Sequence, residues 1–201
     1  MKIIANIFAA AGLLLLGYWT VEYFQARLFQ AQERRRFETG IRTETRAESE
    51  QPPAVREVEA GTAIARVEMP RVGLSAVVVE GAGRQMLKLG PGHARGTALP
   101  GEGRNVGLTG HRDTFFRPLR FIRKGDLVDL ITAQGEYRYQ VSWTMIVVPE
   151  DVWVLDSTGR ESVTLITCYP FDFVGPAPKR FVVRAECAEC PRRPKLEKGT
   201  K

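Results

Sequence analysis

Three side chains of this sequence, a sulfur, an imidazole and a guanidinium, stand where chemistry could be shared between them. Cys168 closes the run Val163, Thr164, Leu165, Ile166, Thr167, Cys168, which reads as a buried strand that delivers a thiol to a rim. A free cysteine is among the most buried of residue types, so by itself it reads as core. A partner changes that reading. His111 ends the segment Gly107, Leu108, Thr109, Gly110, His111, and imidazole is suited to exchange protons with a leaving amine near neutral pH. Arg180 opens an apolar run a dozen residues after the cysteine. From there a guanidinium can face the thiol, hold a carbonyl oxygen and stabilise an oxyanion. Arg184 shares that face by the period of two but lies two pleats further on, and it reads as a solvated strand arginine.

The chain has one other histidine, His93, in the Gly-Pro loop Gly90, Pro91, Gly92, His93. It reads as a turn residue or part of a substrate groove wall. Asp113, two residues after His111, would share the imidazole's face by strand alternation and could orient it, though a turn aspartate is an equal reading. Thr167, next to the sulfur, is grouped with Asp113 and His93 as a candidate substrate contact. Cys187 and Cys190 make a lone Cys-x-x-Cys with no second pair or nearby histidines, so structural zinc is not expected. Free thiols, a local disulfide and a lipidation site all remain open for them. No metal and no cofactor is expected.

Elements must position these groups. After Ala60, short runs of Val, Ile, Leu, Tyr and Trp alternate with Gly, Pro and Asp, the punctuation of an all-β domain. Strands are expected at 64–69, 74–79, 105–109, 127–132, 137–143, 163–168 and 180–186. In the fifth, Tyr137, Tyr139, Val141 and Trp143 alternate with Arg138, Gln140 and Ser142, which places all four large side chains on one buried face. Residues 84–89 read as a short helix, and the whole as a closed or nearly closed barrel.

Ahead of the barrel, residues 3–21 are almost wholly apolar, the length a helix needs to cross a bilayer. Residues 1–21 are read as an uncleaved anchor, since no small-x-small cleavage pattern follows. Arg27 and Arg34 to Arg36 lie beyond it and by the positive-inside tendency argue against export of the body. Outward placement rests on the chemistry instead. Residues 22–59, rich in Arg, Glu and Gln, read as a stalk that adds reach only, whose first part to about Arg36 could extend the membrane helix. The formal charge of +6 comes largely from a basic tail, residues 187–201, where residues 191–201 hold five Lys or Arg against one Glu. No basic stripe interleaved with aromatics marks the body, so nucleic acid is not expected as a partner.

The stretch Thr164, Leu165, Ile166, Thr167, Cys168 matches the TLxTC signature of sortases, the bacterial cell-surface cysteine transpeptidases. Gly110, His111, Arg112, Asp113, Thr114, Phe115, Phe116 resembles the histidine motif of class D and Gram-negative-type members, and the order His111, Cys168, Arg180 is the sortase order. The likeness covers residues 60–186 and is specific as a set. It implies an eight-stranded barrel outside the membrane and an N-terminal anchor. It also implies an LPxTG-like sorting signal on a secreted partner protein and an amine acceptor at the cell surface. In that scheme Cys168 attacks the Thr carbonyl, His111 protonates the departing Gly amine, Arg180 holds substrate or oxyanion, and a thioester awaits an amine or water. Two other readings compete: an L,D-transpeptidase, whose SHGCIR-like run is absent here, and a barrel that binds without catalysing, with Cys168 as a core thiol.

Overall fold

The computed structural model describes residues 2–44 and 58–190; the basic tail from 191 and residues 45–57 of the expected stalk lie outside them. Helix α1 (Lys2–Glu44) is followed by β1 (Ala63–Met69), β2 (Leu74–Glu80), helix α2 (Arg84–Leu89), β3 (Gly92–His93) and β4 (Asn105–Thr109). Then come β5 (Leu127–Thr132), β6 (Gly135–Val147), β7 (Ser162–Tyr169) and β8 (Lys179–Glu189). The strands close into a barrel in the order β1-β2-β3-β4-β7-β8-β6-β5. Closure pairs every strand with a neighbour on both sides over at least part of its length.

Alternation explains the core. Ala65, Val67 and Met69 of β1, Leu74, Ala76 and Val78 of β2, Val106 and Leu108 of β4, Val163 and Leu165 of β7, and Val183 and Ala185 of β8 all point inward. Their intervening neighbours face out. Phe116 and Leu119, from the segment after His111, are fully buried and pack on the same cluster.

Two departures from the expected pattern have local causes. β3 is only two residues long, too short for any period to show, yet it bridges β2 and β4 by one parallel and one antiparallel pairing. In β6 the register with β8 shifts between Val141 and Trp143. This bulge turns Trp143 to the outer face, so it does not continue the inward row of Tyr137, Tyr139 and Val141. There it packs with Val147, Val154, Leu155, Ile166 and Val182.

Outside the core, Arg71 in the 3₁₀ turn Pro70–Val72 reaches the buried Asp126 through a forked ion pair, with Nη2 to Oδ2 at 2.6 Å. That bond, helped by the Arg123 N–H at 2.7 Å, holds the Asp126 carboxyl below its ordinary range. A depressed folded pKa adds stability above the unfolded carboxylate value and loses it as pH falls through the folded one. Asp126→Asn is therefore expected to cost about 1–2 kcal/mol near neutral pH. In urea melts at a series of pH values, the gap from wild type should close below about pH 4; a gap independent of pH would contradict the ion pair.

Cys187 and Cys190 form a disulfide at the end of β8, with Cα atoms 5.9 Å apart. This resolves their open reading in favour of the local bridge. Both pack against the barrel core.

Candidate active site

The end of β7 is flanked on both sides by the other two candidate elements. In the antiparallel β7–β8 pair, Cys168 lies directly opposite Arg180, and cross-strand partners share a face. On the other side, parallel β4 is in register with β7 up to Thr109 opposite Ile166. One residue further, the Gly110 N–H donates to the Ile166 carbonyl at 3.1 Å. The next residue is His111. Since Val163 and Leu165 point inward, Thr167 does too, while Cys168 joins Ile166 on the outer face. Cys168 is a free thiol, partly exposed.

Thr167 is only 2% exposed, and its hydroxyl donates to the Gly110 carbonyl at 2.7 Å. It ties the end of β4 to the end of β7 from inside the barrel and presents nothing to the outer face. Gly110 is glycine because a Cβ there would stand 2.8 Å from the Phe116 ring. Phe116 in turn donates its N–H to the His111 carbonyl at 3.1 Å. The chain beside His111 is thus pinned by a buried aromatic ring. Asp113 sits exposed in the turn that follows β4, where strand alternation no longer governs which way a side chain points.

The β7–β8 connection is held by arginines from the histidine segment, which sequence reasoning did not single out. Arg112 Nη2 donates to the carbonyls of Phe173 and Gly175 at 2.6 and 3.0 Å. Arg120 Nη2 bonds Asp172 Oδ1 at 2.6 Å, and its guanidinium lies over the Phe171 ring at 5.4 Å. The Arg120 hydrogen bond keeps the Asp172 carboxyl below its ordinary range. Phe171 and Phe181, 5.4 Å apart in edge contact, seat the base of this connection on the core. Arg180 braces it from the far end: its Nη1 donates to Ala177 O at 3.1 Å and Lys179 O at 2.9 Å. Its remaining donors are on Nε and Nη2.

Arg184 is not a solvated arginine. It is 3% exposed, with Nη1 donating to Ser162 Oγ at 3.1 Å and Nη2 to Val154 O at 2.7 Å. The bulge-turned Trp143 ring lies 5.7 Å from its guanidinium, and burial lowers its pKa from the ordinary value. Asn105 belongs to the same buried set: its amide donates to Leu155 O at 2.8 Å and its carbonyl accepts from Ser162 and Thr164. Together they fasten the 3₁₀ turn Val152–Leu155 over the outer face of β4, β7 and β8. That turn covers the end of the face at Arg184, away from Cys168.

His93 lies elsewhere. It is 3% exposed, with Nδ1 at 2.7 Å from Glu80 Oε2 and Nε2 at 3.0 Å from both Ala98 O and Thr97 Oγ1. Thr97 spends its own proton on Ala94 O at 2.7 Å, so Nε2 must be the donor to both oxygens. Nδ1 and the Glu80 carboxyl group meet in a contact that is buried on both sides. A side chain so enclosed is a strut beneath the β3–β4 connection; its place there does not suit substrate contact. His93→Ala is expected to cost about 2–4 kcal/mol, because it removes the buried hydrogen-bond partner of Glu80 and leaves its carboxylate only the longer contact with Arg95 Nε at 3.6 Å. A denaturant midpoint unchanged from wild type would overturn this.

Comparison with known proteins agrees with this fold. The Sortase domain family profile matches residues 67–188. Sortase D of Bacillus subtilis (strain 168) is 30% identical over 190 residues, covering 90% of this chain and 96% of that protein. In fold, the chain resembles a Clostridium perfringens Sortase D5 transpeptidase with a TM-score of 0.64 at 23% identity, over 81% of this chain and 98% of that one. It also resembles Clostridium perfringens sortase C, solved with the C-terminal cell wall sorting motif, with a TM-score of 0.62 at 24% identity over 79% and 90% of the two chains.

The chain belongs to the sortase family of cysteine transpeptidases, class D. Membership sets aside the L,D-transpeptidase reading.

Proposed function

We propose that this sortase cleaves an LPxTG-like sorting signal on a secreted protein and passes the acyl group to an amine at the cell surface. Cys168 acts as the nucleophile, His111 as the acid and base, and Arg180 as the holder of the oxyanion. The observation that supports the site is the shared row: Cys168 opposite Arg180 across β7–β8, with the segment leading into His111 bonded to the other side of β7. The substrate class is supported by the sorting motif named with the sortase C of similar fold.

The steps balance as follows. The Cys168 sulfur, as thiolate, forms a bond to the Thr carbonyl carbon, and the carbonyl oxygen takes the negative charge beside the Nε and Nη2 donors of Arg180. The Thr–Gly bond then breaks, and the Gly amine leaves with a proton from the His111 imidazolium. An acceptor amine, deprotonated by the same imidazole, attacks the thioester and releases the thiolate. Water in place of the amine gives hydrolysis.

Within α1, the segment Lys2–Arg36 contains a window long and apolar enough to cross a membrane. In this reading it anchors the enzyme by a single pass in the cytoplasmic membrane, with the barrel on the outer side. The test is mass spectrometry of the full chain in detergent with a library of LPxTG-like peptides and candidate amines. Cleavage between Thr and Gly with amine-dependent product is expected. An intact peptide library under all conditions would overturn the substrate assignment.

A further inference from the structure

The edge of β2 that faces β3 is only partly paired by strand. β3 reaches it at Val79 and Glu80, and the Val79 N–H finds Pro91 O at 2.9 Å. Among the described residues, no strand lies beside this edge at Val77. Val77 is 1% exposed, and buried backbone polar groups require partners. Gln30 of α1 supplies them. The Val77 N–H donates to Gln30 Oε1 at 2.7 Å, and Gln30 Nε2 donates to Val77 O at 3.0 Å and Leu89 O at 2.7 Å. One side-chain amide thus replaces the backbone that a longer β3 would bring.

Gly90 keeps the place open, because a Cβ there would run into Val77 O and stand 2.6 Å from Gln30 Nε2. Ala26, Phe29, Gln30 and Glu33 are the partly buried positions of this part of α1, the spacing of one helix face. Phe24 and Leu28 remain exposed.

The stalk expected to add reach therefore does not do so up to this point. Gln30 is nine residues past Val21, about 13 Å along a helix at ~1.5 Å per residue. The headgroup layer to be cleared is about 5–8 Å. A barrel docked there lies close against the lipid surface.

We propose that Gln30 locks the membrane helix to the open edge of β2 and so fixes the barrel at one height and orientation above the bilayer. The groove then serves acyl donors held at that same membrane surface. This rests on the membrane-anchored sortase reading given above. The chemistry itself does not need the lock, because Gln30 lies on α1 and its hydrogen bonds go to Val77 of β2 and Leu89 at the end of α2.

The experiment uses the full chain in phosphatidylcholine vesicles, wild type against Gln30→Leu and Gly90→Ala, with three readouts. A sorting-signal peptide is offered free in solution or attached by a short linker to a lipid. Barrel height is read by energy transfer from a dye on the barrel to a dye in the membrane, and the Val77 amide is followed by hydrogen exchange. Both variants should cleave free peptide within about twofold of wild type and lipid-held peptide at least about fivefold more slowly, with weaker energy transfer and at least about tenfold faster Val77 exchange. Equal rates on both substrates, or unchanged height and exchange, would overturn the lock. Equal loss on both substrates would also overturn it, since it would assign Gln30 to folding of the groove. If wild type cleaves neither peptide, the substrate assignment fails, and height and exchange still decide the lock.

Discussion

Replacing Cys168 by alanine is expected to lower peptide cleavage by at least ~10⁴-fold, because no other group can carry the acyl intermediate. The fold should not suffer. Cys168 is partly exposed at the end of β7, outside the core cluster, so the melting temperature should match wild type within a few degrees. Intact-mass analysis after mixing with peptide should show an acyl adduct on wild type and none on the variant. Residual cleavage above about one part in a hundred would move the nucleophile elsewhere. This result also separates the enzyme from a barrel that binds without catalysing, in which the substitution would change nothing.

The second large effect is expected at Arg180. Arg180→Lys should reduce kcat by about 10²–10³-fold, the usual loss when a transition-state donor is removed. The reason is geometric. Nη1 is engaged by Ala177 O and Lys179 O, and only a planar fork can brace those carbonyls while offering Nε and Nη2 to the oxyanion. A lysine ammonium keeps the charge but cannot do both. KM should change much less than kcat, since the bond is made to charge that develops only in the transition state. If KM rose and kcat stayed level, Arg180 would be a ground-state binding residue. The same substitution at Arg184 should read out as lost stability, since that guanidinium bonds Ser162 and the Val154 carbonyl and faces no open groove.

Much of this was legible because it depends on local pattern. β7 shows as a run of apolar and β-branched residues ending in a cysteine, and period two puts Cys168 and Arg180 at strand ends without any knowledge of pairing. The short helix at Arg84–Leu89 shows between its flanking glycines, and β1, β2 and β4 show as apolar runs bounded by turn residues.

The misses come from contacts that no window of sequence contains. Trp143 reads as the fourth side chain of an inward row until a bulge, set by pairing with β8, turns it over. Arg184 reads as solvated because nothing local says that Val152–Leu155 will fold across it. His93 and Glu80 are 13 residues apart and meet only when β3 pairs with β2. Arg112 and Arg120 were plain cations in sequence, and their partners lie 61 and 52 residues away. Gln30 looked like one more polar residue of a stalk. Its role appears only once β3 proves too short to cover Val77.

The most direct measurement of the central claim is proteolytic mapping of the trapped acyl-enzyme. The purified protein is mixed with a sorting-signal peptide without added amine, quenched in acid, digested and sequenced by tandem mass spectrometry. The account predicts a thioester on Cys168 carrying the peptide up to its Thr, absent from His111→Ala. An adduct at Cys187 or Cys190, or none in a preparation that cleaves the peptide, would contradict it.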